Sequence, residues 1–503
     1  MGAVAFWLVP LLISLPAISF VWAYGGIDAR VFACVMPPAT IVALAAALLL
    51  PQRHPDESWR SACSRVWKAM ACDPFFWTAL VLVLYLLFPL FNVGLCQGCD
   101  ADLIAAGKEA APPLKYLPFC VRPNEHAGVV RWFVGALASA LAVRHGLTRA
   151  GKRMLVEILV WNGTAIAAFG FLQLLTQAEF PFWGKVDRPL KFFATFAYPN
   201  MAGAFFVVNY AMALGLWFLR MGEVEKMSLE DERAKAVRHP FLRANYPLVA
   251  VGMSFFSVLA TLCRAAMMLM ILLTVISVVY MIGRIHAVEG MERARRLKSL
   301  IIAAVFTLSA FGAVSVYAPP DVLRELKSLN ISVVADRVAG GTEQVHSKAV
   351  SAVMRNHPLF GVGGWGYRHF SKVYLERKDA KALNGAGSAN VHNDFLQFIA
   401  EHGMVGFALM AACVWMLFSP VFNAWRKIVR TSIAAARSNM GVSSLAVFKV
   451  APTILWSALG CVALMVHAFG DCPLRSPAIL TLFFTLLAAL AGYLPHFRDE
   501  VGS

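Results

Sequence analysis

The sequence predicts an all-α polytopic membrane protein of about twelve transmembrane helices, and three observations carry this expectation. Of 503 residues, 59% are hydrophobic and only 15% are charged, where a water-soluble chain carries roughly a quarter charged residues. Apolar stretches of membrane-spanning length recur along the whole sequence. Lys and Arg concentrate in alternate turns between them.

In order, the apolar stretches are 3–24, 31–50, 75–93, 129–143, 154–178, 201–219, 247–262, 265–282, 300–318, 404–421, 450–469 and 477–494. Crossing a bilayer takes roughly 20 mostly apolar residues. The spans read as helices, because a membrane barrel would instead give short alternating segments. The first stretch has no Lys or Arg before Arg30, so it reads as a retained helix and not as a cleaved signal peptide.

Basic residues set the expected orientation. Arg53, Arg60, Arg65 and Lys68 occupy the first inward turn, and Arg144, Arg149, Lys152 and Arg153 the next. Arg220 to Arg243, Arg284 to Lys298 and Arg426 to Lys449 follow the same pattern. The positive-inside rule then places both termini in the cytoplasm. The net charge of +16 is thus a topology signal and implies membrane lipid, not nucleic acid, as the surrounding partner. Three outer segments stand out, 94–128, 179–199 and the much larger 319–392. The chain accordingly divides into helices one to nine (1–318), an outer loop (319–403), and helices ten to twelve with a tail (404–503). In the outer segment 94–128, Cys120 is expected to pair with Cys96 or Cys99 in an oxidising compartment.

The long loop opens with Pro319-Pro320, which ends helix nine. Residues 343–357 read as an amphipathic helix with Val345, Ala349 and Val353 on one stripe, ended by Pro358. The glycine-rich turn Gly361-Val-Gly-Gly-Trp-Gly366 follows. Its Gly-x-Gly-x-x-Gly spelling is not a dinucleotide fingerprint, because no strand precedes it. Asp100-Ala-Asp102 spells a metal-binding pair but reads as a solvated turn. Next, His392 to Gly406 reads as a helix along the outer membrane surface, with Asn393, Gln397 and Glu401 in one polar stripe and a turn near Gly403.

Four cations are candidates for anion binding on the outer side: Arg188, Lys191, Arg264 and Arg475. Arg264 lies between spans seven and eight at interface depth, where a charge costs up to roughly 3 kcal/mol and is usually kept for function.

These residues resemble the O-antigen ligase and O-antigen polymerase superfamily. The pattern His392-Asn393, nine residues, Gly403, two residues, Gly406 is similar to that family's signature. Phe196-Ala-Tyr-Pro-Asn-Met-Ala-Gly203 and Asn356-His-Pro-Leu-Phe-Gly-Val-Gly363 resemble two further family elements. The resemblance implies a type C glycosyltransferase-like fold with a large periplasmic loop between helices 9 and 10, in the bacterial inner membrane. It implies transfer of a glycan from undecaprenyl diphosphate to a lipid A core hydroxyl, or to another lipid-linked glycan in a polymerase. The family's loop histidine falls on His392 and its phosphate-binding arginine on Arg264. Its second arginine is Lys191 here, a glycine of the family is Ala194, and a loop-helix Trp is His346.

The chemistry is consistent with that resemblance. Outside the cytoplasm no nucleotide is at hand, so the energy must arrive with the donor. Cations at Arg264, Lys191, Arg188 and Arg475 would hold the diphosphate. His392 would act as general base on the acceptor hydroxyl, with Asn393, Gly403 and Gly406 positioning the loop. Displacement would invert the anomeric centre, with no metal and no cofactor required. The rival reading is a polysaccharide-lipid transporter or flippase, which would keep charges near the bilayer midplane; the spans here are nearly free of them.

Overall fold

The computed structural model describes residues 3–26, 28–53, 57–94, 114, 116–184, 191–230, 240–287, 341–371, 374–375, 378–379, 383, 390–437 and 451–493. Among the described residues the regular structure is helical, and the only other pairings are isolated bridges, Val93 with Cys120 and Phe193 with Phe196. Nine of the helices are long and apolar enough to cross a membrane, against the twelve expected. Two shorter apolar helices, Trp7–Trp22 and Pro477–Ala491, fall on the first and last expected spans. The remaining expected span, 300–318, lies outside the described residues, as do Asp100 and Asp102.

The helix ends follow from local chemistry. Asp28 caps Ala29–Leu49 by accepting from the Arg30 and Val31 amides at 2.9 and 3.0 Å. Ser58 caps Trp59–Ala71, a helix within a segment read from sequence as a turn. Asp73 caps Pro74–Leu87 and also binds Arg144 and His145 at the far end of Pro123–Gly146. Burial raises the Asp73 carboxyl, but the bonds from His145 and Arg144 outweigh it and hold the pKa at about 2.

The chain forms two compact units. The first comprises Met1–Thr148, Asn330–Leu417 and Met465–Ala488. In it Phe20 meets Phe32 edge-on, with ring centroids 4.9 Å apart. Val345, Ala349 and Val353 of Gly341–Asn356 are buried in an apolar cluster shared with Phe370 and with Phe119 and Val121 from an earlier segment of the chain. That stripe is the one the sequence predicts.

The second unit comprises Arg149–Leu329, Phe418–Leu464 and Ala489–Ser503. Its centre is Pro199–Glu230, apolar on all sides and almost wholly buried along the span. Asn209 Nδ2 donates to Ser254 Oγ at 2.8 Å, while its Oδ1 is buried without a hydrogen-bond partner among the described residues. Arg220 binds Glu157 and Glu223 at 2.8 and 2.7 Å.

Two expectations change. Cys120 is a free, buried thiol that donates to the Pro89 carbonyl at 3.2 Å, not a disulfide partner. Cys96 and Cys99 lie outside the described residues. The polar stripe Gln397/Glu401 does not face solvent along a membrane surface: both side chains are buried and bonded to each other at 3.1 Å.

Candidate active site

The site of the first unit is built on a backbone crossing. Asp394–Arg437 is broken at Gly403, where φ is 63° and ψ −173°. The break frees backbone groups that a buried helix would otherwise pair, and the 358–363 turn takes them up. Val362 and Gly363 amides donate to the Ala400 and Glu401 carbonyls at 3.2 and 2.7 Å; Met404 and Val405 amides donate to Pro358 and Leu359 at 3.0 and 3.1 Å. The approach requires glycine from both sides. A Cβ on Gly403 would run into the Leu359 carbonyl and the Phe360 amide, and one on Gly361 into the Glu401 backbone. Gly406 lets Tyr85 through, so that its hydroxyl donates to the His402 carbonyl at 2.6 Å. Gly361 and Gly403, 42 residues apart in sequence, are thereby locked into one element.

That element presents His392. Asn393 caps the following helix by accepting from the Phe395 and Leu396 amides, and donates to the Phe469 carbonyl at 2.9 Å. His392 itself sits in the left-handed region, at φ 55°, a conformation costly for a residue with a Cβ and concentrated at functional sites. Its Nδ1 lies 3.2 Å from Oδ1 of Asp471, and its side chain is 41% exposed while that of Asp471 is 7% exposed. The Cys472 amide also donates to this Oδ1, at 2.8 Å. His346 packs its ring edge-on to His392, with centroids 6.1 Å apart. His392, Asp471 and Cys472 bring ligand-capable atoms within 4.8 Å of one another and could hold a metal ion. Burial and the Asp471 carboxylate raise the Cys472 thiol pKa, so the thiol stays protonated.

Arg475 follows in the same turn. Its Nη1 donates to Glu401 at 3.0 Å, and its guanidinium carbon lies 3.8 Å from the Trp365 ring centroid. Arg368 lies 4.1 Å from the same ring. Nε and Nη2 of Arg475 are buried without a hydrogen-bond partner among the described residues, which leaves donors available to an anion. A mostly apolar cavity adjoins them, lined by Trp132, Phe133, Phe398, Met410 and Phe483.

The first unit therefore brings together His392, Asn393, Gly403, Gly406 and Arg475. Arg264 and Lys191 belong to the second unit, and Arg188 lies outside the described residues. Arg264 starts the helix Arg264–Ala287 just after the tight turn through Leu262. Gly203 closes this turn against Pro199–Glu230, since a Cβ there would meet Ala266 at 2.9 Å and Cys263 at 3.0 Å. Lys191 is exposed, two residues ahead of the paired turn Phe193–Phe196.

Asp471 and Trp365 are the residues that sequence reasoning missed. Trp365 lies in the glycine-rich turn Gly361 to Gly366, and Asp471 four residues before the candidate cation Arg475. An acid in a short turn between two apolar spans is the signal that could have found Asp471.

No curated protein matches the chain. The O-antigen ligase family model matches residues 249–411, a segment that contains Arg264, His346, His392, Asn393, Gly403 and Gly406. This match over residues 249–411 supports a place in the O-antigen ligase superfamily for the chain, a multi-pass membrane protein.

Proposed function

We propose that the protein transfers a glycan from undecaprenyl diphosphate to an acceptor hydroxyl of lipid A core, at the periplasmic face of the bacterial inner membrane. The observation that carries this reading is the His392–Asp471 pair. With Nδ1–H donated to the carboxylate, Nε2 holds a lone pair and can take a proton. The acceptor oxygen loses its proton to Nε2 and attacks the anomeric carbon. The bond from that carbon to the diphosphate oxygen breaks, and the lipid diphosphate leaves with the electron pair. Attack opposite the leaving group inverts the anomeric centre. Arg264, Lys191, Arg188 and Arg475 are assigned to the diphosphate, whose charge grows as it departs. The residues supply both base and counter-charge, so the proposed reaction proceeds without a metal.

A polymerase would use the same donor and differ in its acceptor. The lipopolysaccharide of a deletion strain decides between them: loss of all attached O-chain indicates a ligase, and a single attached repeat a polymerase. Compartment tags test the orientation. Those at residues 60, 150, 230, 290 and 435 are expected to report cytoplasm, and those at 110 and 350 periplasm. A periplasmic report from 230 contradicts the topology.

A further inference from the structure

His346 places a polar atom without a partner beside the proposed base. It is 1% exposed. Nδ1 lies 2.9 Å from the hydroxyl of Tyr367, and Nε2 is buried with no hydrogen bond among the described residues. Native interiors rarely leave such an atom unmet unless it serves a ligand, a solvent molecule or catalysis. An apolar side chain would fill the same place in the loop core at lower cost, so packing alone does not account for a histidine.

The chemistry narrows what Nε2 can bind. Burial, reinforced by the neighbouring His392, pushes the His346 pKa down to about 4, so the ring is neutral at pH 7. A neutral imidazole is a hydrogen-bonding group and a poor counter-ion, which suits a hydroxyl better than a phosphate. Burial also pushes the Tyr367 phenol up, so it keeps its proton. Tyr367 can therefore donate to Nδ1 or accept from it, leaving Nε2 as an N–H or as a lone pair respectively. A sugar hydroxyl satisfies either form, because it both donates and accepts. The substrate closest to His392 is the one whose proton His392 takes, the acceptor.

We propose that His346 Nε2 hydrogen-bonds a second hydroxyl of the acceptor sugar, next to the one that reacts, and so determines acceptor specificity. This rests on the reading of His392 as the base that activates the acceptor.

The test uses purified full-length protein, a lipid-diphosphate-linked glycan donor, and a panel of acceptors each lacking one hydroxyl. His346→Phe keeps a ring of similar size and removes Nε2. The expected result is a rise of about tenfold in acceptor KM, the size of one lost hydrogen bond, with donor KM and kcat within about twofold. One deoxy acceptor should be used equally well by variant and wild type. A loss of the same size on every acceptor, or one confined to kcat or donor KM, overturns the inference. Should His346→Phe insert poorly, His346→Gln, whose amide offers a donor and an acceptor in new positions, is expected to change the ranking of the deoxy acceptors; an unchanged ranking overturns the inference equally. If wild type transfers glycan and His392→Ala does not, a negative result at His346 leaves the proposed function standing. If wild type transfers nothing, the proposed function fails and this inference with it.

Discussion

Replacing Asp471 by Asn removes one charge and almost no volume. The carboxylate oxygen that faces His392 Nδ1 at 3.2 Å also holds the Cys472 amide at 2.8 Å. An Asn oxygen can keep the amide bond, so the turn should survive. What is lost is the charge assistance to His392 as it becomes an imidazolium. A hydrogen bond to a charged group is worth roughly 1.5–3 kcal/mol, against roughly 0.5–1.5 for a neutral one. The difference, about 1–1.5 kcal/mol, corresponds to roughly a 5–15-fold fall in kcat, at about 1.4 kcal/mol per tenfold. Asp471→Ala removes the whole bond and should cost roughly 10–150-fold by the same conversion. The assay is glycan transfer by purified protein, with donor and acceptor varied separately. Donor KM should stay within about twofold, because Asp471 is an anion assigned no contact with the diphosphate. A kcat for both variants within twofold of wild type, at equal expression, would refute the dyad.

Arg264→Ala is expected to abolish transfer and Arg264→Lys to recover part of it, since charge returns without the bidentate fork; full activity of the Ala variant in the same assay removes Arg264 from the site. Lys191→Arg should be tolerated. Gly403→Ala should destabilise the loop by about 3 kcal/mol or more, through its φ of 63° and the collision with Leu359, read as a lower melting temperature in detergent; an unchanged melting temperature contradicts the crossing. Asp73→Asn should cost about 2 kcal/mol at pH 7, because its pKa falls from 3.8 to about 2 on folding. That stabilisation is complete above about pH 4 and is lost as pH falls through about 2. A variant as stable as wild type at pH 7 contradicts it.

The spans were legible because lipid leaves a blunt signal: each crossing must be apolar along its whole length. The stripe of Val345, Ala349 and Val353 was legible for a related reason, since helical spacing alone fixes which side chains share a face. The same rule grouped Asn393, Gln397 and Glu401 but could not say which way the stripe points. Water and a buried partner such as Arg475 both satisfy a carboxylate, and that partner is 74 residues away in sequence. Asp471 was hidden likewise, 79 residues from the histidine it bonds. The glycines of 361 and 403 were visible as motifs, but their mutual contact is a property of the crossing and is written in neither motif alone. Cys120 illustrates the converse, for three cysteines in one outer segment suggest a bridge, whereas the thiol is turned inward onto Pro89.

The most direct test of the central claim is reconstituted transfer in chelator, with no nucleotide present. Purified protein, glycan on undecaprenyl diphosphate and lipid A core acceptor are mixed, and the joined product is followed. Wild type is expected to give product, and His392→Ala inserted at the same level none. Near-normal product from His392→Ala, or none from wild type until a metal is restored, would contradict the claim.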